Sequence, residues 1–212
     1  MNKTFIISYS IVVFAILIVT ITSCSVKGYK VVSDASKSYI NNIHIFQDNF
    51  NKALYKTNIT IYGNELTGIT IIKKTNNTMR VVSMSEMGMK YFDIEFPLDK
   101  NVNPIIHYIM EPLNRKLLIN MFIRDFSLLF FPPINHKSKV MFGKSDSSLV
   151  LIKNKKIIYL FSSNGVVTDI KKQHFLLPTK TIATLSNYTQ QYPGTIYFDH
   201  GKISLNFVNI KD

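Results

Sequence analysis

Apolar residues follow a period of two along most of this chain and change to a helical period in one stretch. From Ile43 onward apolar and polar residues alternate, the pattern of half-buried strands. Within residues 114–131, four apolar residues instead recur at spacings of four, four and three and predict a helix with one apolar face: Leu118, Phe122, Phe126 and Leu129. Pro132 and Pro133 end that helix, because proline has no backbone N–H to donate. Since strands do not alternate with helices, parallel α/β folds are excluded.

The alternating segments predict about eleven antiparallel strands. The first contains Ile59 and Ile61 on one face, and the others cover residues 66–73, 79–84, 89–96, 139–144, 149–152, 157–162, 166–172, 181–185, 195–199 and 202–208. Gly68 lies inside a strand, which indicates a bend or bulge. In the strand at 89–96 the side chains alternate between the two faces of the sheet, with Phe92, Ile94 and Phe96 on one face and Tyr91, Asp93 and Glu95 on the other. We expect a mainly β (α+β) domain with the helix packed on the sheet.

The N-terminus resembles an export signal. Lys3 precedes an apolar run from Phe5 to Ile21, which ends in Ile-Thr-Ser followed by Cys24, the only cysteine in the chain. This ending resembles the lipobox of bacterial lipoproteins, which implies diacylglycerol on the Cys24 sulfur and a fatty acid such as palmitate on its new amino group. A plain transmembrane anchor is the alternative, although seventeen residues are few for spanning a bilayer.

We divide the chain into a signal peptide at 1–23, a lipidated N-terminus and flexible tether at 24–40, and one domain at 41–212. The formal net charge of +12 falls to +11 when Lys3 leaves with the signal, and this balance favours negatively charged partners. Anionic lipid is a better candidate than nucleic acid for an exported, anchored protein. Polyanion binding at the cell surface remains a third class of function, supported by charge alone.

Two stretches are similar to segments of the LolB-like outer-membrane lipoproteins of the LolA/LolB superfamily. One runs from Met79 to Gly88, an Arg-containing apolar strand that ends in an apolar-Gly turn, and the other is the final hairpin from Phe198 to Phe207. The order of signal, tether, meander, helix and further strands also fits. The resemblance implies an open half-barrel of about eleven antiparallel strands whose concave side is plugged by helices. It also implies a hollow that takes the acyl chains of a lipoprotein delivered by a LolA-like periplasmic carrier.

The resemblance assigns site residues as well. The apolar residues that would line the hollow are Ile59, Ile61, Phe92, Ile94, Phe96, Leu118, Phe122, Phe126, Leu129, Ile203, Leu205 and Phe207. Met87, just before Gly88, would protrude from a hairpin and insert into the membrane. The implied location is the outer membrane, on its periplasmic face, and Ser25 in place of an acidic residue after Cys24 fits that location. We expect a monomer with no cofactor other than the covalent lipid.

No motif in the sequence predicts catalysis. The five histidines are scattered without metal-ligand spacing, and there is no nucleophile elbow or phosphate-binding loop. Asp93 and Glu95 share a strand face and are compatible with acid–base chemistry, but the simpler interpretation is a solvated polar face. We therefore expect no enzymatic activity and no metal site. The leading hypothesis is an acyl-chain carrier-receptor; the alternative is a non-transporting envelope lipoprotein that uses the fold as a scaffold for protein partners.

Overall fold

A computed structural model describes residues 29–31, 44–99, 101–134, 138–143, 150–173 and 178–210. The predicted signal, Cys24 and most of the predicted tether lie outside these ranges. Within them, no helix combines the length and the apolar character that crossing a membrane requires.

The described residues form thirteen strands and one α-helix. The first six strands are β1 Tyr29–Val31, β2 Lys52–Ile61, β3 Asn64–Lys74, β4 Thr78–Met84, β5 Lys90–Pro97 and β6 Ile105–Ile109. A 3₁₀ turn, Glu111–Leu113, leads into helix α1, Lys116–Phe130. The remaining strands are β7 Lys139–Gly143, β8 Val150–Asn154, β9 Ile157–Phe161, β10 Val167–Lys172, β11 Lys180–Ser186, β12 Thr195–Asp199 and β13 Ile203–Asn209.

All strands belong to one open antiparallel sheet of two meanders, in the order β1-β7-β8-β9-β10-β11-β12-β13-β2-β3-β4-β5-β6. The meanders join where β13 pairs with β2, with Ile203 opposite Ile61. This confirms the mainly β antiparallel class and the helix predicted within residues 114–131. The described residues contain one α-helix where several plugging helices were expected.

Two strands were not predicted. β1 lies in the segment assigned to the flexible tether, and its three residues pair with Gly143, Phe142 and Met141 of β7. β6 escaped prediction because its residues do not alternate: Ile105 to Tyr108 are all exposed along the edge of the sheet.

The sheet curves around α1, because strands far apart in it touch the same helix. Phe92 of β5 stacks on Phe122 with ring centroids 5.0 Å apart. From β9, eight positions away in the strand order, the Tyr159 hydroxyl donates a 2.9 Å hydrogen bond to the carbonyl of Leu128. The two strands can both reach α1 only if the sheet between them is concave toward the helix.

The centre of the concave side is an aromatic core. Phe126 contributes most to it, with ring centroids between 5.9 and 6.2 Å from those of Phe92, Phe96, Phe198 and Phe207. Three strands, β5, β12 and β13, which lie on both sides of the β13–β2 junction, therefore meet on one helical residue. The predicted apolar face of the helix packs on the sheet as expected.

Gly68 is required by a close approach of two strands. A Cβ atom at this position would collide with the backbone carbonyl oxygen of Met84. The pairing of β2 with β3 runs through Gly68 without a register shift, so the expected bulge is absent.

Candidate functional site: a groove at the open end of the sheet

The two ends of α1 have different surroundings. At its C-terminal end a set of aromatic rings, which we call the aromatic plug, packs in a continuous series: Phe46, Phe50, Phe130 and Tyr192. The ring of Phe46 lies 4.8 Å from Phe50 and 5.5 Å from Phe130, and Phe50 lies 5.4 Å from Tyr192. This closes one end of the concave side.

The other end, which we call the open end, carries three hairpin connections and the start of α1. Tyr62-Gly63 joins β2 to β3, residues 85–89 join β4 to β5, and residues 200–202 join β12 to β13. β6 finishes at this end too, since Ile109 pairs with Phe92 near the start of β5, and the chain then enters α1.

A groove of about 850 Å³ lies at the open end between α1 and two of the hairpins. Its lining consists of Tyr62, Lys116, Leu117, Asn120, Met121, Arg124, His200 and Ile203. This volume is within the ~300–1,000 Å³ typical of small-molecule sites.

The floor of the groove is apolar and continuous with the core. Met121 and Ile203 are buried and belong to the same cluster of packed side chains as the aromatic core. Leu117 is 63% exposed, although it lies one turn from the buried Leu113 and Met121. A ligand in the groove would thus cover Leu117 and touch the edge of the core.

The polar side of the groove is basic. Lys116, Asn120 and Arg124 recur every four residues and form one row along α1. Lys116 has no ion-pair partner among the described residues, whereas Arg124 donates from Nε and Nη2 to Asp125 Oδ1 at 3.0 and 2.8 Å. None of the described residues that line the groove carries a carboxylate.

Asp125 lies behind the groove and fastens the hairpin at 200–202 to α1. Its side chain is 1% exposed, and Oδ2 lies 2.6 Å from Nε2 of His200. Because a carboxylate only accepts, Nε2 carries the proton in this contact. Two partners therefore satisfy the buried charge, as such groups require. Chemically, the pair holds an imidazole in the wall of the groove.

His200 lies in a hairpin connection, yet its side chain is only 14% exposed because of this contact. The sequence did not indicate the pair, because Asp125 and His200 are 75 residues apart. An acidic residue between Phe122 and Phe126, on the apolar face of the helix, was the available signal that a buried partner must exist.

Helix α1 occupies the concave side of the sheet, where the resemblance implied a hollow. Eleven of the twelve candidate lining residues are buried in the packed core: Ile59, Phe92, Ile94, Phe96, Leu118, Phe122, Phe126, Leu129, Ile203, Leu205 and Phe207. Ile61 is partly buried against that core, and Ile203 also lines the groove. The structure thus brings these residues together around the helix, in one cluster of packed side chains.

Met87 lies at the tip of the β4–β5 hairpin and is 98% exposed. The loop is held by its own hydrogen bonds, from the Ser85 N–H to the Met89 carbonyl at 2.8 Å and from the Gly88 N–H to the Ser85 carbonyl at 2.9 Å. Gly88 has φ of +82°, a conformation that favours glycine. The predicted turn and the protrusion of Met87 are present, and Met89 beside it is also exposed.

The interpretation of the face that carries Asp93 and Glu95 as solvated is wrong for Asp93, which is buried. Its carboxylate is 3% exposed and accepts hydrogen bonds from Arg80 Nε at 2.8 Å, Arg80 Nη2 at 3.0 Å and Lys90 Nζ at 3.0 Å. Burial opposes ionisation of Asp93, but these hydrogen bonds outweigh it and hold its pKa below the ordinary value. Glu95 instead contacts Nε2 of His107 at 2.7 Å. The two carboxylates serve separate ion pairs and do not form one acid–base site.

Within the described ranges, no three His, Cys, Asp or Glu side chains are grouped so that they would hold a metal ion. No family model matches the chain, and a search of curated proteins by sequence finds no match.

Proposed function

We propose that this chain is a lipid-anchored envelope protein that accepts acyl chains at its open end and passes them to the outer membrane. The observation that carries the proposal is the groove, an unfilled apolar floor that joins the core at Met121 and Ile203. The exposed Met87 at the same end gives the protein an apolar tip that can enter a bilayer.

The start of α1 is suited to admitting a ligand. Arg115, the residue before the helix, makes no capping hydrogen bond with its side chain, and no acidic residue lies in the first turn. Leu117 contributes little packing there. The helix is therefore held mainly by its buried face and its C-terminal end, and an acyl chain would extend from the groove toward the core beside the first two turns.

In this proposal the donor is a LolA-like carrier, the cargo is an acylated lipoprotein, and the anchor is the lipid on Cys24. Cys24→Ala should release the protein from the membrane fraction or leave it unprocessed, because the thiol is the lipid acceptor. Fractionation with immunoblotting measures this. A Cys24→Ala protein of normal mature size that remains in the membrane fraction would favour the transmembrane alternative.

Photo-crosslinking in cells tests the acceptor role itself. A photoreactive residue at Leu117 would lie in the groove, and one at Tyr197 is the matched control, since that side chain is also large and exposed but lies outside the groove. With alkyne-tagged fatty acid fed to the cells, we expect tagged acyl species on the Leu117 variant and background labelling on the Tyr197 variant. Equal labelling at both positions, or none at Leu117, would contradict the proposal.

The scaffold alternative is favoured by a different observation, the open edge at β6. Ile105, Ile106 and Tyr108 are 46%, 38% and 43% exposed on a strand with a neighbour on one side only. Such an edge can pair with an extended strand of a partner protein. If the scaffold function holds, Ile106→Lys should abolish cross-linking of the chain to that partner. Acyl labelling at Leu117 should then be the same with and without the Ile106→Lys substitution.

A further inference from the structure

The lining of the groove discriminates between acyl-bearing molecules by their charge. Among the described residues that line it, the two ionic side chains, Lys116 and Arg124, are both cationic, and the other polar groups are a phenol, an amide and an imidazole. The nearest buried carboxylate, Asp125, is already paired with Arg124 and His200. An anion entering the groove would meet donors and no uncompensated acid.

The arrangement also separates an ionic part from an apolar part. Lys116 and Arg124 lie two turns apart on α1, with the amide of Asn120 between them, so one row of donors faces the groove. Leu117, Met121 and Ile203 form the apolar part beside this row. Lysine and arginine are the side chains that proteins use to bind phosphate, the second by paired hydrogen bonds.

Arg124 retains donors for a ligand. A guanidinium has five N–H groups, and only its Nε and Nη2 atoms contact Asp125. Nη1 has no hydrogen-bond partner among the described residues, and the whole ammonium group of Lys116 is similarly unpaired there. The buried carboxylate holds the guanidinium in place, so part of the conformational entropy of binding an anion is already lost before the ligand arrives.

We propose that the groove binds a phosphate-bearing anionic amphiphile, with its head group against Lys116 and Arg124 and its acyl chains against Leu117, Met121 and Ile203. This inference rests on the proposed acyl-acceptor function and specifies the class of ligand. A soluble anion would leave Leu117 uncovered, and a neutral or zwitterionic lipid would leave the two cations without a partner, so both should bind more weakly.

The test uses the full chain in nanodiscs of phosphatidylcholine and isothermal titration calorimetry with three probes. Dihexanoyl phosphatidylglycerol carries both head-group charge and chains, dihexanoyl phosphatidylcholine has the same chains without net charge, and inorganic phosphate has the charge alone. We expect the first to bind at least about fivefold tighter than either of the others, the ratio that corresponds to one exposed ionic contact of ~1 kcal/mol.

Two charge reversals locate the contact. Lys116→Glu should weaken binding of the phosphatidylglycerol probe by at least about fivefold. The matched control is Lys73→Glu, which changes the net charge equally at an exposed position near the opposite end of β3 and should leave the affinity unchanged. Leu117→Asn, which removes apolar surface without adding a charge, should weaken binding of the lipid probes and leave the weak binding of inorganic phosphate within twofold.

The outcomes separate this inference from the proposed function. Equal affinity for the two lipids, or equal losses in Lys116→Glu and Lys73→Glu, would overturn the charge selectivity while leaving acyl binding intact. Inorganic phosphate binding as tightly as phosphatidylglycerol would make the groove a simple anion site and overturn the amphiphile. Failure of both lipids to bind would contradict the acyl-acceptor function itself.

Discussion

Both ends of α1 carry large apolar and aromatic side chains, but these are packed together at one end and exposed at the other. At the C-terminal end, Phe46, Phe50 and Tyr192 close the concave side, and the segment before β2 is tied across by a 2.9 Å hydrogen bond from the Gln47 N–H to the Gln191 carbonyl. At the N-terminal end, Leu117 and Tyr62 are each 63% exposed beside an unfilled groove. Apolar side chains are buried within the protein at the C-terminal end of α1 and exposed at its N-terminal end.

This difference assigns separate tasks to the two ends. Burying large aromatic rings stabilises a fold by several kcal/mol per ring, so the aromatic plug holds the sheet around α1. Exposed apolar side chains add nothing comparable to stability, and several of them together at one end of a domain are typical of a binding surface. Substitutions at the closed end should therefore change stability, and substitutions at the open end should change binding.

The largest effect is expected between the two ends, at Phe122. This ring is fully buried against Phe92, and Phe122→Asp should lower the free energy of unfolding by about 5 kcal/mol or more. Truncating a buried Phe costs ~3–5 kcal/mol, and an unpaired carboxylate adds to that. Thermal unfolding followed by circular dichroism measures it, with Phe122→Leu as the apolar control. An unchanged melting temperature would mean that the helix packs on an external partner instead of the sheet.

The next effect distinguishes the ends directly. Phe50→Ala should lower the free energy of unfolding by ~3–5 kcal/mol, because the ring is 3% exposed and packs against two others of the plug. Leu117→Ala, the matched truncation at the open end, should change it by less than about 0.5 kcal/mol. Urea unfolding of both variants provides the measurement. Equal losses would show that the open end is packed as tightly as the closed end.

A smaller effect concerns the outer face, where Asp93 fastens the Met87 hairpin by linking Arg80 on β4 to Lys90 on β5. Asp93→Asn should cost ~2 kcal/mol, since charge-assisted hydrogen bonds are lost. Because the folded-state pKa is lowered, this stabilisation is complete above the unfolded value of ~3.9 and is lost as the pH falls from there through the lower folded pKa.

Hydrogen exchange resolved along the chain checks the pH dependence. Below pH ~4 the amides of residues 84–90 should exchange faster before those of the aromatic plug do. The Asp93→Asn protein should exchange fast in this hairpin at neutral pH as well, with little further change on acidification. Loss of protection at the closed end first would contradict the assignment of stability to that end.

The periodicity of apolar residues and the residues of the turns were enough to predict the helix and most of the strands. The apolar stripe placed the helix at 114–131, within two residues of α1, and alternation placed eleven of the strands. The turns followed from their residues too, as Gly201 in the last hairpin has φ of +85°. These elements were predictable because period and turn chemistry act over a few neighbouring residues.

The groove was not predictable, because it depends on which residues the folded sheet brings together. From the sequence alone, Lys116, Asn120 and Arg124 are simply polar residues on the helix, opposite its apolar face, and Tyr62 is a residue in a turn. Their common position at one end follows from the pairing of β13 with β2. Likewise, Phe92 and Phe122 were assigned to a hollow, and only tertiary packing shows that each fills the space the other would line.

The smallest effect on stability, with the largest consequence for the proposed function, is expected at Met87. Because 98% of the side chain is exposed and the loop is held by hydrogen bonds of Ser85, Met87→Glu should change the free energy of unfolding by less than about 0.5 kcal/mol. In the proposed mechanism the tip enters the bilayer, which contributes ~1.5–3 kcal/mol for a buried methionine and is lost with a charged residue. The variant should thus remain anchored through Cys24 and fail to deliver an acylated cargo to liposomes.

Met87→Leu, which keeps an apolar tip, is the control and should deliver the cargo at the wild-type rate. Normal transfer by a folded Met87→Glu protein would show that the exposed tip has no part in delivery, and the open end would then act through its groove alone.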